Sequence, residues 1–263
     1  MAIKGNSFLN RTAHLAGYVL IPVLLLAGWQ FLSSFGVIRP MILPSPAQVA
    51  EVFWQLVESG ELAKHVGSSA LRVVEGFALA AAGGLALGVG AGIFRGFGRL
   101  VELPIQLIKP IPPIAWIPLA ILWFGIGEGA KVYIIFIGAF FPILINTIDG
   151  IRQTDVRFVE LARILEVPRW RFIRQVILPG ALPQIMTGLR IGLNIAWMCV
   201  VAAELIAASS GIGFLIMDAR LLSQTDIVLA GMITMGFLGK VTDDLLQKLE
   251  TRLVTWRNAF SGH

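Results

Sequence analysis

Arg72 and Glu204 each stand inside a long apolar stretch, "SSALRVVEGFALAAAGG" and "IAWMCVVAAELIAASSG". An ionisable group in such surroundings is costly to keep, which makes each a functional candidate. Arg72 lies about six residues from one end of its stretch and Glu204 about four from the end of its own, and at about 1.5 Å of rise per residue these depths agree to within a turn. Three arrangements are open. Arg72 pairs with Glu204 and locks two helices together, or it pairs with Glu75 three residues along the same helix. Alternatively, a charge stands near the mouth of a pathway, where it attracts or orients an anion. Arg190, nearer the other end of the second stretch, is expected to snorkel or to touch the neighbouring cytoplasmic loop.

Other chemistries find little support. The single cysteine, Cys199, sits in an apolar run, so neither a disulfide framework nor a cysteine metal site can form within the chain. His14, His65 and His263 are scattered and leave no HExxH-like ligand pair. A nucleotide-binding P-loop needs GxxxxGK[ST], but at Gly239-Lys240 the first glycine is replaced by Thr234 and the hydroxyl residue by Val241. The glycines of "GGLALGVGAGIFRGFG" follow no strand and suit helix packing better than a dinucleotide. Ser209-Ser210-Gly211 has no in-span histidine to act as its base, which argues against an intramembrane serine protease.

The elements that must carry these residues follow from composition. Of 263 residues 56% are hydrophobic and 14% charged, against about 25% charged in an ordinary soluble domain, and the mean hydropathy is +0.80. This is an all-α polytopic membrane protein, and six spans are predicted, near 13–36, 66–94, 103–125, 130–148, 181–207 and 227–246. The first is too long, and lacks a small-residue cleavage site, for a cleaved signal peptide. The Gly/Ala-rich part of the second offers small residues for close helix contact. Pro104, Pro110, Pro112, Pro113 and Pro118 predict a third span that is kinked or partly unwound.

Six spans place both termini on one side. With the N-terminus inside, Lys4, Arg11, Arg95, Arg99, Arg152, Arg157, Arg163, Arg169, Arg171, Arg174, Lys248, Arg252 and Arg257 are cytoplasmic, and only Arg39, Lys64, Lys131 and Arg220 lie outside. The basic residues therefore fix the topology, and the net charge of +5 reflects cytoplasmic loops rather than a nucleic-acid partner. Ser45-Pro46 should open a short amphipathic helix on the outer surface. The division expected is 1–61 for the first span and outer segment, 62–246 for the main transmembrane domain, and 247–263 for a cytoplasmic tail.

The longest cytoplasmic loop, about 152–180, holds "ELARILEVPRWRFIRQVILPGALPQI". Phe158, Leu161, Ala162 and Leu165 share one face at helical spacing, and Pro168 then breaks the helix. A second piece, "RWRFIRQVIL", should run to Pro179-Gly180, giving two short helices at an angle. Such a loop either rests on the headgroups or presents its apolar seam to a cytosolic protein.

This loop resembles the signature of the membrane subunits of binding-protein-dependent ABC importers: EAA, three residues, G, nine residues, I, one residue, LP. Glu160-Leu161-Ala162, Glu166 in the glycine place, Val176 in the isoleucine place and Leu178-Pro179 keep the spacing, while Leu161 and Glu166 depart from it. "ILPSP", "PIPPIAWIPLAILWFGIGEGAK", "ILPGALPQIMTGLRIGL" and "VAAELIAASSGIG" are similar to the taurine, sulfonate and nitrate branch, and lie between residues 42 and 213. The resemblance implies a type I importer permease fold, functional as a homodimer in a bacterial inner membrane. It implies two cytosolic ATPase subunits gripping the loop at Glu160, Leu161, Ala162, Glu166, Val167, Pro168, Leu178, Pro179 and Gly180, and a solute-binding protein docking outside. No cofactor is expected on this chain, ATP and magnesium belonging to the ATPase. By the same analogy Trp116, Trp123, Phe124, Trp197, Met198 and Glu204 are candidates to line the pathway, although aromatic and Met residues in spans also simply pack helices. The expected solute is a small organic anion, taurine or another sulfonate. The alternatives are nitrate, bicarbonate or a vitamin precursor, and, outside the family, a self-sufficient secondary transporter, which the few buried charges argue against.

Overall fold

The computed structural model describes residues 6–35, 39 and 41–254, with the side chains of 6–19, 156 and 207 outside that description. Lys4, Arg257, His263 and the end of the expected tail therefore lie outside the described residues, as do the side chains of Arg11 and His14. All regular structure among the described residues is helical. It divides into two compact units, Met1–Leu62 with Leu215–Met232, and Ala63–Phe214 with Ile233–His263.

The first unit contains α1, Asn6–Ser34, and α2, Pro46–Glu58. Ser45 starts α2 as expected: Gln48 N–H donates to Ser45 Oγ at 3.3 Å and Ser45 N–H to Gln48 Oε1 at 2.9 Å. This reciprocal cap satisfies two otherwise unpaired donors, and Pro46 occupies a position where its missing N–H costs nothing. The Ala47 N–H donates to Gln30 Oε1 at 3.2 Å, tying α2 to α1.

Among the described residues, four helices are long and apolar enough to cross a membrane: α3, Glu61–Ile93; α6, Glu128–Arg152; the stretch Arg169–Ile206; and α11, Thr225–Leu253. A fifth crossing is formed if α4, Arg95–Ile108, and the segment Pro113–Phe124 count together, with an 87° bend between them. That segment is a 3₁₀ turn, Pro113–Trp116, followed by α5, Ile117–Phe124. The kink expected of the third span is present. Pro110, Pro112 and Pro113 supply no N–H to a helical ladder, so the chain turns there. Of the predicted first span, only Leu20–Ser34 is an apolar helix with described side chains, shorter than a crossing requires.

Inside the second unit α6 is the central helix. Gly76, Gly84, Gly88 and Gly92 of α3 lie against Ile135, Ile143, Thr147 and Ile151, so close that an added Cβ would fall 2.6 to 3.0 Å from them. The register advances together in both helices, so α3 and α6 run parallel. Gly188 meets Asn146 and Gly192 meets Ile143, so the helix α9, Leu178–Ala207, runs antiparallel to α6. Gln184 Nε2 donates to Asn146 Oδ1 at 2.9 Å across that seam. Where lipid is as apolar as the side chains, such close backbone approach and interhelical hydrogen bonding are what hold spans together.

The loop corrects one expectation. Only α7, Val156–Ile164, is a separate short helix. The second piece does not stop at Pro179: α8, Arg169–Phe172, a π turn, Ile173–Ile177, and α9 form one continuous helical stretch. Pro179 falls at the start of α9, and the wider π turn ahead of it accommodates both its ring and its missing N–H. What re-enters the apolar region is thus a 38-residue rod, Arg169–Ile206, roughly 57 Å long.

Candidate functional site

Arg72, from α3, and Glu204, from the last turn of α9, meet, with Nη1 donating to Oε1 at 2.7 Å. Of the two pairings open from sequence, the interhelical one is formed, and Glu75 is exposed. The Glu204 side chain has no exposed surface, so its charge must be met entirely from within. Ser69 Oγ donates to both carboxylate oxygens, at 2.8 and 2.9 Å, and Gly213 N–H donates to Oε2 at 2.8 Å. Gly213 belongs to the first turn of α10, Ile212–Leu221, whose unpaired N–H groups favour an anion. Ile212 N–H donates to Ser69 Oγ at 2.9 Å and Gly211 N–H to His65 Nδ1 at 3.0 Å. Gly211 has φ of 117°, and a Cβ there would overlap the Glu204 carboxylate, so only glycine fits.

The remaining Arg72 donors turn to Glu128, the first residue of α6. Nε donates to Oε2 at 2.5 Å and Nη2 to Oε1 at 2.8 Å, a bidentate fork. Nη1 also reaches Ser210 O at 2.7 Å and Nη2 reaches Ser210 Oγ at 3.1 Å, so every guanidinium N–H is used. Lys131 Nζ donates to Glu128 Oε1 at 2.9 Å. Two cations and two carboxylates therefore balance in one cluster. Sequence reasoning missed Glu128, Ser69, His65 and Ser210, and it counted Lys131 as an outer loop charge, whereas Lys131 is buried in the first turn of α6. "GIGEGAK" held the available signal, an acid and a base three residues apart at the start of a span.

The other pathway candidates do not converge on this cluster. Trp197 is buried in the core and its Nε1–H donates to Thr242 Oγ1 of α11 at 2.9 Å. Trp116 packs on the same core, its Nε1–H buried without a partner among the described residues. Trp123 and Phe124 flank Tyr133 at ring distances of 5.8 and 5.2 Å, and Met198 faces outward. Arg190 neither snorkels nor meets the loop: it forks onto Asp243 at 2.9 and 3.0 Å and reaches Glu250 at 3.4 Å. The reason is that α11 stays helical to Leu253, beyond its apolar part, and carries both carboxylates alongside α9.

At the other end of α6 and α9 stands α7. Asp155 caps it, accepting from Arg157 N–H at 2.9 Å. Phe158, Leu161, Ile164 and Leu165 leave an apolar face of α7 uncovered, and Trp170 of α8 is exposed as well. Arg95, Arg99, Arg152 and Arg169 line a cavity of about 580 Å³ beside it. The helix ends in a tight turn, Glu166 N–H donating to Arg163 O at 3.2 Å and Val167 N–H to Ala162 O at 2.9 Å. Such a turn places the residue just past the C-cap in the left-handed region and is ordinarily closed by glycine; Glu166 occupies it with φ of 50°. The turn geometry is thus kept despite the side chain. A left-handed L-residue costs about 1–2 kcal/mol, part of which glycine returns through its freedom in the unfolded chain. Glu166→Gly is accordingly expected to stabilise the fold by about 0.5–1 kcal/mol, visible as a raised melting temperature of the purified protein. A lowered one would show that the Glu166 side chain makes a compensating contact.

Residues 84–255 match the family model described as the binding-protein-dependent transport system inner membrane component. The chain is 43% identical over 244 residues to the putative aliphatic sulfonates transport permease protein SsuC of Bacillus subtilis, covering 93% of this chain and 88% of that protein. It is 34% identical over 237 residues to the taurine transport system permease protein TauC of Escherichia coli, covering 88% and 86%. Among solved structures it is similar to a chain of the inward-facing MetNI methionine ABC transporter, with a TM-score of 0.61 at 19% identity, over 77% of this chain and 95% of that one. That likeness is one of fold.

Proposed function

The chain belongs to the family of inner-membrane components of binding-protein-dependent transport systems, and on that premise we propose that it builds the membrane pathway for a small organic anion, an alkanesulfonate such as taurine. It is a membrane-embedded permease subunit of an ABC importer, a transport subunit rather than an enzyme. In the proposed assembly two copies form the pathway, two cytosolic ATPase subunits bind ATP and magnesium, and a solute-binding protein delivers the anion from outside. Both termini face the cytosol.

The observation that carries this reading is the uncovered apolar face of α7, set on the intact signature spacing. An apolar helix face of this kind is laid into a groove of a partner. α7 is joined through the Glu166 turn to the rod Arg169–Ile206, which carries Glu204 in its last turn, so a push on α7 is delivered to a single stiff element. A rod shifts as a body where a jointed pair of short helices would absorb the motion. The solute assignment draws on the sulfonate and taurine permeases among the relatives.

An Ile164→Cys variant tests the coupling. Ile164 is 77% exposed and the native Cys199 is buried, so a membrane-impermeant maleimide reads the introduced thiol alone. Labelling is expected in inside-out vesicles and not in intact cells, with protection once the ATPase subunit is bound. Labelling from outside the cell would overturn both the orientation and the coupling role.

A further inference from the structure

Arg72 and Lys131 have side chains only 5% exposed, and both direct donors onto Glu128, whose own side chain is 60% exposed. Glu204 contrasts sharply with it. Wholly buried, Glu204 is fixed by Ser69 Oγ, Gly213 N–H and Arg72 Nη1 together. One carboxylate of the cluster is therefore part of the protein interior, and the other reaches in from an open side at the start of a helix, between Gly127 and Gly129. Neither glycine would be hindered by deep packing from moving with it, since a Cβ on Gly127 would meet nothing within 4 Å and one on Gly129 only Phe124 at 3.5 Å.

The donors that Glu128 occupies are Arg72 Nε and Nη2 and Lys131 Nζ. A guanidinium fork with an ammonium beside it suits a carboxylate or sulfonate, whose two or three oxygens accept in parallel. Were Glu128 to swing into water, Arg72 and Lys131 would be opposed by Glu204 alone, and the cluster would hold one uncompensated positive charge. An arriving monoanion restores neutrality, so the exchange leaves the buried charge unchanged. An unfilled cation would be the costly state, and Glu128 prevents it between arrivals.

We propose that Arg72 and Lys131 form an oxyanion-binding subsite for the transported solute, a sulfonate or carboxylate monoanion, and that Glu128 is its resident counter-ion, displaced when the solute binds. The sulfonate part of this rests on the function proposed above. Because the resident carboxylate competes from within the chain, the apparent affinity is lowered by the fraction of time the site is free. A transporter needs that weakness, since a solute held tightly in the pathway does not leave it.

The test is equilibrium binding of methanesulfonate to the purified permease–ATPase complex without a binding protein. Glu128→Gln removes the competing charge and is expected to bind methanesulfonate at least tenfold more tightly than wild type, and adding Lys131→Met should abolish the gain. Glu128→Asp, which keeps the charge on a shorter stem, should give a smaller gain and serves if the Gln variant fails to assemble. No gain for methanesulfonate, nitrate or bicarbonate in a folded variant would overturn the subsite while leaving sulfonate import untouched. A gain for nitrate or bicarbonate without one for methanesulfonate would support the subsite and remove the sulfonate assignment instead.

Discussion

Arg72→Gln is expected to be among the most damaging single changes in the molecule, lowering stability by about 3–5 kcal/mol, the usual cost of leaving one member of a buried ion pair uncompensated. Glu204 would remain in place with only Ser69 and Gly213 as donors, both neutral. Glu204→Gln should cost less, because Arg72 would keep the bidentate carboxylate of Glu128. Combining the two should recover part of the Arg72→Gln loss, because the stranded carboxylate is gone. Thermal inactivation of the four purified complexes measures this coupling. Strictly additive losses would show that the pair does not act as a unit.

Gly211→Ala should approach the same magnitude by a different route. Its φ of 117° is one that L-residues rarely adopt, and its Cβ would collide with the Glu204 carboxylate. Relief by movement of the loop would pull Gly211 N–H from His65 and the neighbouring N–H groups from Ser69 and Glu204. The collision part of the loss should vanish in a Glu204→Ala background, leaving only backbone strain of about 1–2 kcal/mol. Melting temperatures of the two single variants and the double variant decide it. Equal losses from Gly211→Ala in both backgrounds would mean that steric contact with Glu204 is not its cause.

The sequence made legible what depends on local chemistry. Apolar length placed the main spans, prolines at 110, 112 and 113 placed the bend, and the glycines of α3 announced its close packing on α6. Matched depth brought Arg72 to Glu204 because both sit near the same ends of their helices. The signature spacing located α7, and its Glu166 kept the left-handed turn that glycine usually supplies. What remained hidden needed tertiary information. Glu128 and Lys131 lie where apolar character fades, and hydropathy cannot distinguish a solvated loop end from a buried helix start. His65 appeared isolated because its partner is a backbone N–H 146 positions away. Pro179 suggested a break because sequence rules give no warning of a π turn that absorbs it. Arg190 found Asp243 and Glu250 because α11 continues beyond its apolar part, which a hydrophobic window reads as its end.

The most direct measurement is uptake of a labelled alkanesulfonate into proteoliposomes that hold this chain and its ATPase subunit, with the solute-binding protein present at the face opposite the ATPase. Uptake is expected only when ATP and magnesium are supplied on the ATPase side, and it should cease when either the ATPase or the binding protein is omitted. Sulfonate entry that proceeds without ATP and the ATPase would contradict the assignment of this chain as the passive pathway of an ATP-driven importer.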